Sequence, residues 1–188
     1  MQGGILGSPM CSASTAEYCE ENRGISVGGV SIASLAFVDD LMDVNDTCED
    51  TVKSHSNAIK FSDKKKLNFS TSKCASMIIN KRITDKYPEL FIKKEQVQIV
   101  QLLKYLGDIF NANGNNDDLI NDRYARGTKA IISIYAFMRE ICLGIYTITV
   151  YVLLYRSILL SNMLFNSQAW SFISDKHMVK LQGIQLSF

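Results

Sequence analysis

The sequence holds only two prolines, Pro9 and Pro88, so nothing in it reads as a polyproline segment or a proline-rich linker. A dominant charge is missing as well, because twenty Lys and Arg against nineteen Asp and Glu leave a formal net charge of +1. Bulk charge therefore gives no argument for nucleic acid, and such a role must rest on local patches. Five cysteines (Cys11, Cys19, Cys48, Cys74 and Cys142) are scattered with no C-x-x-C pair, which removes the usual zinc and redox-dithiol signatures. An odd, scattered set implies a reducing intracellular compartment, nucleus or cytoplasm. No basic-then-apolar leader opens the chain, so secretion is not expected and the sequons at Asn45 and Asn68 read as accidental. The uncharged run Ile141–Tyr155 falls short of the roughly 20 residues that a spanning helix needs and ends at Arg156. A buried helix, with no stable membrane association, is the expectation.

What remains is a chain of 188 residues, 47% of them apolar, enough for one compact domain with an appended helical piece. It opens on a glycine-rich loop, Gln2 to Pro9, with a short helix expected over 10–21. Gly24 to Ile32 reads as a tight hairpin around Gly28-Gly29, since glycine tolerates the positive φ of two-residue turns. Asp46 with Glu49 has the spacing of a capping box, and Cys48, Val52, His55, Ile59 and Ser62 form an apolar stripe, so a helix is expected over 47–63. Lys64-Lys65-Lys66 ends it. Cys74–Asn80, Val97–Ile99 and Leu103–Phe110 read as strand material, and Asp85–Glu95 as a loop and edge region with Pro88 inside it. Asn111 to Asn116 is a turn where the period changes, which sets a domain boundary at 114/115. Beyond it Leu119, Ile120, Tyr124, Ile131, Ile134 and Phe137 or Met138 share one helix face, and further helices are expected over 147–171 and from Ser174 onward.

One stretch carries chemistry. The apolar run Ile32 to Ala36 leads into Phe37-Val38-Asp39-Asp40, after which Leu41-Met42-Asp43-Val44 resumes the alternation. Asp39-Asp40 therefore reads as the tip of a β-hairpin bearing two adjacent carboxylates, oxygen donors of the kind a hard divalent cation prefers. The bland alternative is a solvated Asp-Asp turn, because Asp side chains readily bond their own backbone.

The ordered segments resemble the reverse transcriptases of non-long-terminal-repeat (LINE-like) retrotransposons over nearly the whole chain. The segments are the Gln2-Gly3…Pro9 loop, the glycine-bounded hairpin into Phe37-x-Asp39-Asp40, an amphipathic helix, Leu67-Asn68…Lys73, Tyr105-Leu106-Gly107 and a basic helical region ending near Trp170. That resemblance implies an α+β fold: residues 1–114 a partial polymerase palm of antiparallel β-hairpins packed on helices, residues 115–188 an all-helical thumb. It implies an RNA-directed DNA polymerase using two Mg2+ ions (Mn2+ as an alternative), with an RNA template, a DNA primer and deoxynucleoside triphosphates as partners. Asp39 would be the principal metal ligand and Asp40 its neighbour, with Phe37 and Val38 shaping the strand beneath the primer end. Gln2 and Gly3 would pack on template and nucleotide, although Gly7 is inserted before Ser8-Pro9. Lys73 would protonate the leaving pyrophosphate, and Tyr105, Leu106 and Gly107 would grip the primer. Arg123, Arg126 and Lys129 would line a phosphate-contacting thumb face.

The family's first metal-binding aspartate lies on a strand upstream of the Gln-Gly loop, and no residue here matches it. Asp43, Asp46, Glu49 and Asp50 follow the hairpin and cannot take its place, so the expectation is a truncated copy, inactive alone. The rival is a non-enzymatic interaction module with a solvated Asp-Asp turn.

Overall fold

The computed structural model describes residues 15–19, 22, 24–81, 86–141, 148–170 and 173–187. They pack as two units: Met1–Ser76 with Arg82–Ile99, and Met77–Lys81 with Val100–Phe188. The class is α+β, built on two-stranded ladders, and the Gln2 and Gly3 assignments lie outside the described residues.

In the first unit, β1 (Ile25–Val27) and β2 (Val30–Ile32) pair antiparallel around Gly28 and Gly29, whose φ angles of +58° and +83° suit a primed turn. Strands β3 (Ser34–Phe37) and β4 (Asp40–Asp43) form the next hairpin. Helix α1 covers residues 15–19 and α2 runs Cys48–Lys65. The cap of α2 differs by one residue from the sequence expectation: Thr47 is the N-cap, its hydroxyl accepting from the Asp50 amide at 3.0 Å and donating to the Asp50 carboxylate at 2.8 Å. Its buried face also differs, comprising Ser54, Ala58, Phe61 and Ser62, so that of the expected stripe Ser62 is buried while Cys48, Val52, His55 and Ile59 are not. The reason is that the opposite side has partners of its own: Cys48 Sγ donates to the Lys86 carbonyl and His55 Nε2 lies 2.9 Å from the Phe91 carbonyl. The helix stops where Lys66 turns left-handed at φ +54° and its N–H bonds back to Asp63 and Ser62.

Tyr18, Ala58 and Phe61 form the buried centre, with Leu41 of β4 and Phe69 packed on it, and the Tyr18 and Phe61 rings lie 5.3 Å apart. Each such buried aromatic contributes about 1.5–3 kcal/mol by burial. The expected strand over Cys74–Asn80 is reduced to β5 (Ala75–Ser76), paired parallel with β8 (Gln98–Ile99). The edge region holds a small hairpin, β6 (Phe91–Ile92) with β7 (Glu95–Gln96), over a second cluster of Leu90, Ile92 and Val97.

In the second unit, β9 (Leu102–Tyr105) and β10 (Asp108–Asn111) form a hairpin that packs on α3 (Asp117–Ile141). The packed units divide at Ile99–Val100, with Met77–Lys81 belonging to the second, and the strands end at the change of period around Asn111–Asn116. Helix α4 (Ile148–Leu154) continues through a π-helical stretch (Tyr155–Leu160) into α5 (Ser161–Met163), and α6 spans Asp175–Ser187. Ile120, Ile134, Leu159, Met163 and Ile184 centre the core. Gly127 sits where α3 meets α5 and α6, since a Cβ there would come within 2.7 Å of Met163 Cγ and 2.9 Å of Ile184 Cδ1. His177 Nε2, 2.8 Å from Asp117 Oδ1, ties α6 to the start of α3.

Of the buried helix expected over Ile141–Tyr155, the described residues from Ile148 onward are helical but mostly exposed. Ile148–Ala169 is long and apolar enough to cross a membrane by length and composition, yet only 11% of it is buried, Leu159 and Met163 being the residues that reach the core. The apolar pattern runs all round this helix, and one stripe suffices for the contact with α3.

Candidate metal-binding hairpin

Phe37 faces Asp40 across the β3–β4 ladder, Ala36 faces Leu41, Leu35 faces Met42 and Ser34 faces Asp43. Val44 N–H extends the ladder to the Ala33 carbonyl at 2.8 Å. The two-residue turn is therefore Val38-Asp39, one residue earlier than the Asp39-Asp40 tip read from the sequence. Asp39 stands in the turn and Asp40 opens β4.

Side chains alternate across the ladder, so two faces follow from the register. Ser34, Ala36, Leu41 and Asp43 look one way, and Leu41 packs on the Tyr18–Phe61 cluster. Leu35, Phe37, Asp40 and Met42 look the other way. Phe37 is 60% exposed. Asp39 and Asp40 are both exposed, and among the described residues neither carboxylate has a hydrogen-bond or ion-pair partner. A turn Asp bonded to its own backbone would have consumed these oxygens.

The turn itself is strained. Val38 has φ +56°, a left-handed conformation that a β-branched residue rarely adopts. Of the two turn residues only Val38 has a positive φ, a conformation in which glycine is the favoured occupant. Such a backbone costs on the order of 1–3 kcal/mol and persists only where its surroundings hold it.

Those surroundings include a half-buried carboxylate. Asp43 Oδ1 accepts from the Ser34 hydroxyl at 2.6 Å and Oδ2 from the Tyr18 hydroxyl at 2.5 Å. Tyr18 is fully buried and also lies 3.2 Å from the Ser54 carbonyl. Burial pushes the Asp43 carboxyl up from its usual range, against the lowering pull of the Ser34 and Tyr18 hydroxyls. Burial, then Asp43 itself, pushes the Tyr18 phenol up. Both Asp43 oxygens are committed inside the protein, so Asp43 is no metal ligand. Lys73 closes the short helical turn Thr71–Lys73, exposed and without an ion pair among the described residues.

The remaining site residues belong to the second unit. Leu106 (φ +47°) and Gly107 (φ +90°) make the turn of the β9–β10 hairpin, with positive φ at both positions as a type I′ turn requires. A Cβ on Gly107 would meet Phe165 Cε1 at 3.2 Å. Tyr105 is half-buried and Leu106 exposed.

Arg123 departs most from expectation. It is fully buried, donates to the Asp108 carboxylate and, at 3.1 Å, to the Gly107 carbonyl, and lies 5.3 Å from the Phe165 ring centroid. Asn166 Nδ2 donates to the other Asp108 oxygen. Arg123 is thus closed to a phosphate. Arg126 pairs with Asp122 at 2.7 Å, and Lys129 is exposed. Three-residue spacing drifts by about 60° per step around a helix, and over the three cations that drift carries the row from the buried Arg123 through the half-buried Arg126 to the exposed Lys129.

The donor chemistry of the hairpin fits magnesium, which is commonly held by one or two carboxylates while keeping water and substrate phosphates. It fits only in part. Among the described residues no group of three or more His, Cys, Asp or Glu could hold a metal ion. No family model, characterised protein or solved structure matches the chain.

Proposed function

We propose that the β3–β4 hairpin is one half of the two-metal nucleotidyl-transfer site of a LINE-like RNA-directed DNA polymerase. The observation that carries this reading is the pair of exposed carboxylates, Asp39 and Asp40, without a partner among the described residues, at a strained turn on a ladder anchored from behind. Mg2+, when bound, would lower the charge of an incoming triphosphate and favour ionisation of a primer 3′-hydroxyl. The protein's part is positional: Asp39 projects from the turn, and Phe37 presents an apolar surface beside Asp40 on which a primer terminus could rest. Arg123 belongs to the scaffold of the Tyr105-Leu106-Gly107 hairpin, leaving Lys129 as the solvent-facing cation of the three.

Two-metal chemistry needs further carboxylates to hold ions about 4 Å apart. The 188 residues, with Mg2+, an RNA template and a DNA primer, are therefore expected to synthesise nothing; robust extension would contradict the half-site assignment. Metal placement is tested by substituting Fe2+ and adding ascorbate and peroxide, which cuts a chain beside the bound ion. The expected scission lies within a few residues of Asp39 and disappears in Asp39→Asn. Scission elsewhere, or unchanged by that substitution, would sink the proposal.

The second reading is a non-enzymatic interaction module, favoured by the apolar, largely exposed α4. It leaves the strained turn without a purpose.

A further inference from the structure

The strain at Val38 raises a question of register. A turn centred on Asp39-Asp40 would place Asp, which tolerates left-handed backbone, where Val38 now stands. That hairpin would pair Val38 with Leu41 and Ser34 with Asn45, and every strand residue would keep its present face. Apolar patterning therefore does not discriminate between the two hairpins, although patterning normally sets strand register. Something specific must choose the strained one.

We infer that Asp43 is the choosing group: a positioning residue whose half-buried carboxylate, bonded to Ser34 across the ladder and to Tyr18 of α1, latches the β3–β4 hairpin in the register that leaves Asp39 and Asp40 free. The geometry is selective because Ser34 and Asp43 face each other only when the turn is Val38-Asp39. In the slipped hairpin Asp43 would face Ala36, which offers no donor, and a half-buried carboxylate would lose its cross-strand partner. Tyr18 fixes the depth of the latch, since its phenol is itself held between Asp43 and the Ser54 carbonyl of α2. This role deepens the metal-site proposal and rests on it for its consequence, but the register can be read without any metal.

The test is NMR on the full chain. Cross-strand proton contacts pairing Phe37 with Asp40 and Ser34 with Asp43 report the register, and Mn2+-induced line broadening around Asp39 reports metal binding. Asp43→Asn and Ser34→Ala are each expected to populate the slipped hairpin, with contacts between Val38 and Leu41. Mn2+ affinity at the turn should fall about ten-fold, the lower end of what loss of a supporting shell costs. Val38→Gly removes the strain that the latch opposes, so Val38→Gly combined with Asp43→Asn should return both register and affinity to within about two-fold of the parent. A purely structural role for Asp43 would show no such rescue. Native register retained in both single variants would overturn the latch. Absence of any Mn2+ effect at the parent's turn would defeat the metal proposal while leaving the register result to decide the latch separately. Should Asp43→Asn fail to fold, Ser34→Ala alone carries the decision.

Discussion

Replacing Arg123 with Met is expected to lower the stability of the second unit by about 3–5 kcal/mol, the cost of stripping one partner from a buried ion pair. The guanidinium is fully buried and Asp108 nearly so, hence the remaining carboxylate would be left with Asn166 as its main donor. The loss reaches beyond the pair, because Arg123 also bonds the Gly107 carbonyl and lies against Phe165, joining the β9–β10 turn, α3 and the segment after α5. Urea denaturation followed by Trp170 fluorescence measures it, since the one tryptophan of the chain packs against the core of this unit. A double variant, Arg123→Met with Asp108→Leu, is expected to recover most of the loss, because two groups that are apolar together leave no charge unmatched. Arg123 Nε has no hydrogen-bond partner among the described residues, a penalty that the double variant removes, and Asp122, which lies 3.5 Å from Arg123 Nη1, keeps its pair with Arg126. A single-variant loss below 1 kcal/mol would mean that the site is wetter than its burial indicates.

Much of the first unit was legible in the sequence because its signals are local. Gly28-Gly29, the apolar alternation around Asp39-Asp40 and the polar run that caps α2 each act within a few residues, and each element formed within one or two residues of its expected place. The errors came where a distant partner decides. The turn moved back one residue to Val38-Asp39, and the signal for that, an acid at position 43 on the same strand face as Leu41, is intelligible only once Ser34 and Tyr18 are seen beside it. Arg123 looked like a solvent-facing cation because three-residue spacing suggests a stripe. Its partner Asp108 lies 15 positions before it and the Phe165 ring beneath it 42 after, out of reach of any periodicity argument. The helix after Ile141 was misjudged for a related reason: apolar content tells how much surface needs cover, and only the packing of α3 shows how little receives it.

Asp39→Asn is expected to do the reverse of the Arg123 substitution, abolishing divalent-ion binding at the hairpin while leaving stability within about 0.5 kcal/mol of the parent. Asp39 is exposed and makes no contact whose loss the fold would feel. Relief of repulsion from Asp40 should even favour the hairpin slightly. Function suffers because a neutral amide oxygen replaces the anionic donor that a hard cation prefers. Asp40→Asn should weaken binding less, as Asp40 sits in the strand rather than in the turn. Manganese titration by electron paramagnetic resonance, run beside urea denaturation of the same samples, separates the two effects. Equal losses of binding and stability would mark the acids as structural.

The most direct measurement is anomalous diffraction from crystals soaked in Mn2+. The expected map has a peak at about 2.1 Å from a carboxylate oxygen of Asp39, with Asp40 beside it, and no peak there in crystals of Asp39→Asn. A map without density at the hairpin at millimolar Mn2+, or one in which both carboxylates turn away into hydrogen bonds with the protein, would contradict the assignment of this turn as half of a metal site.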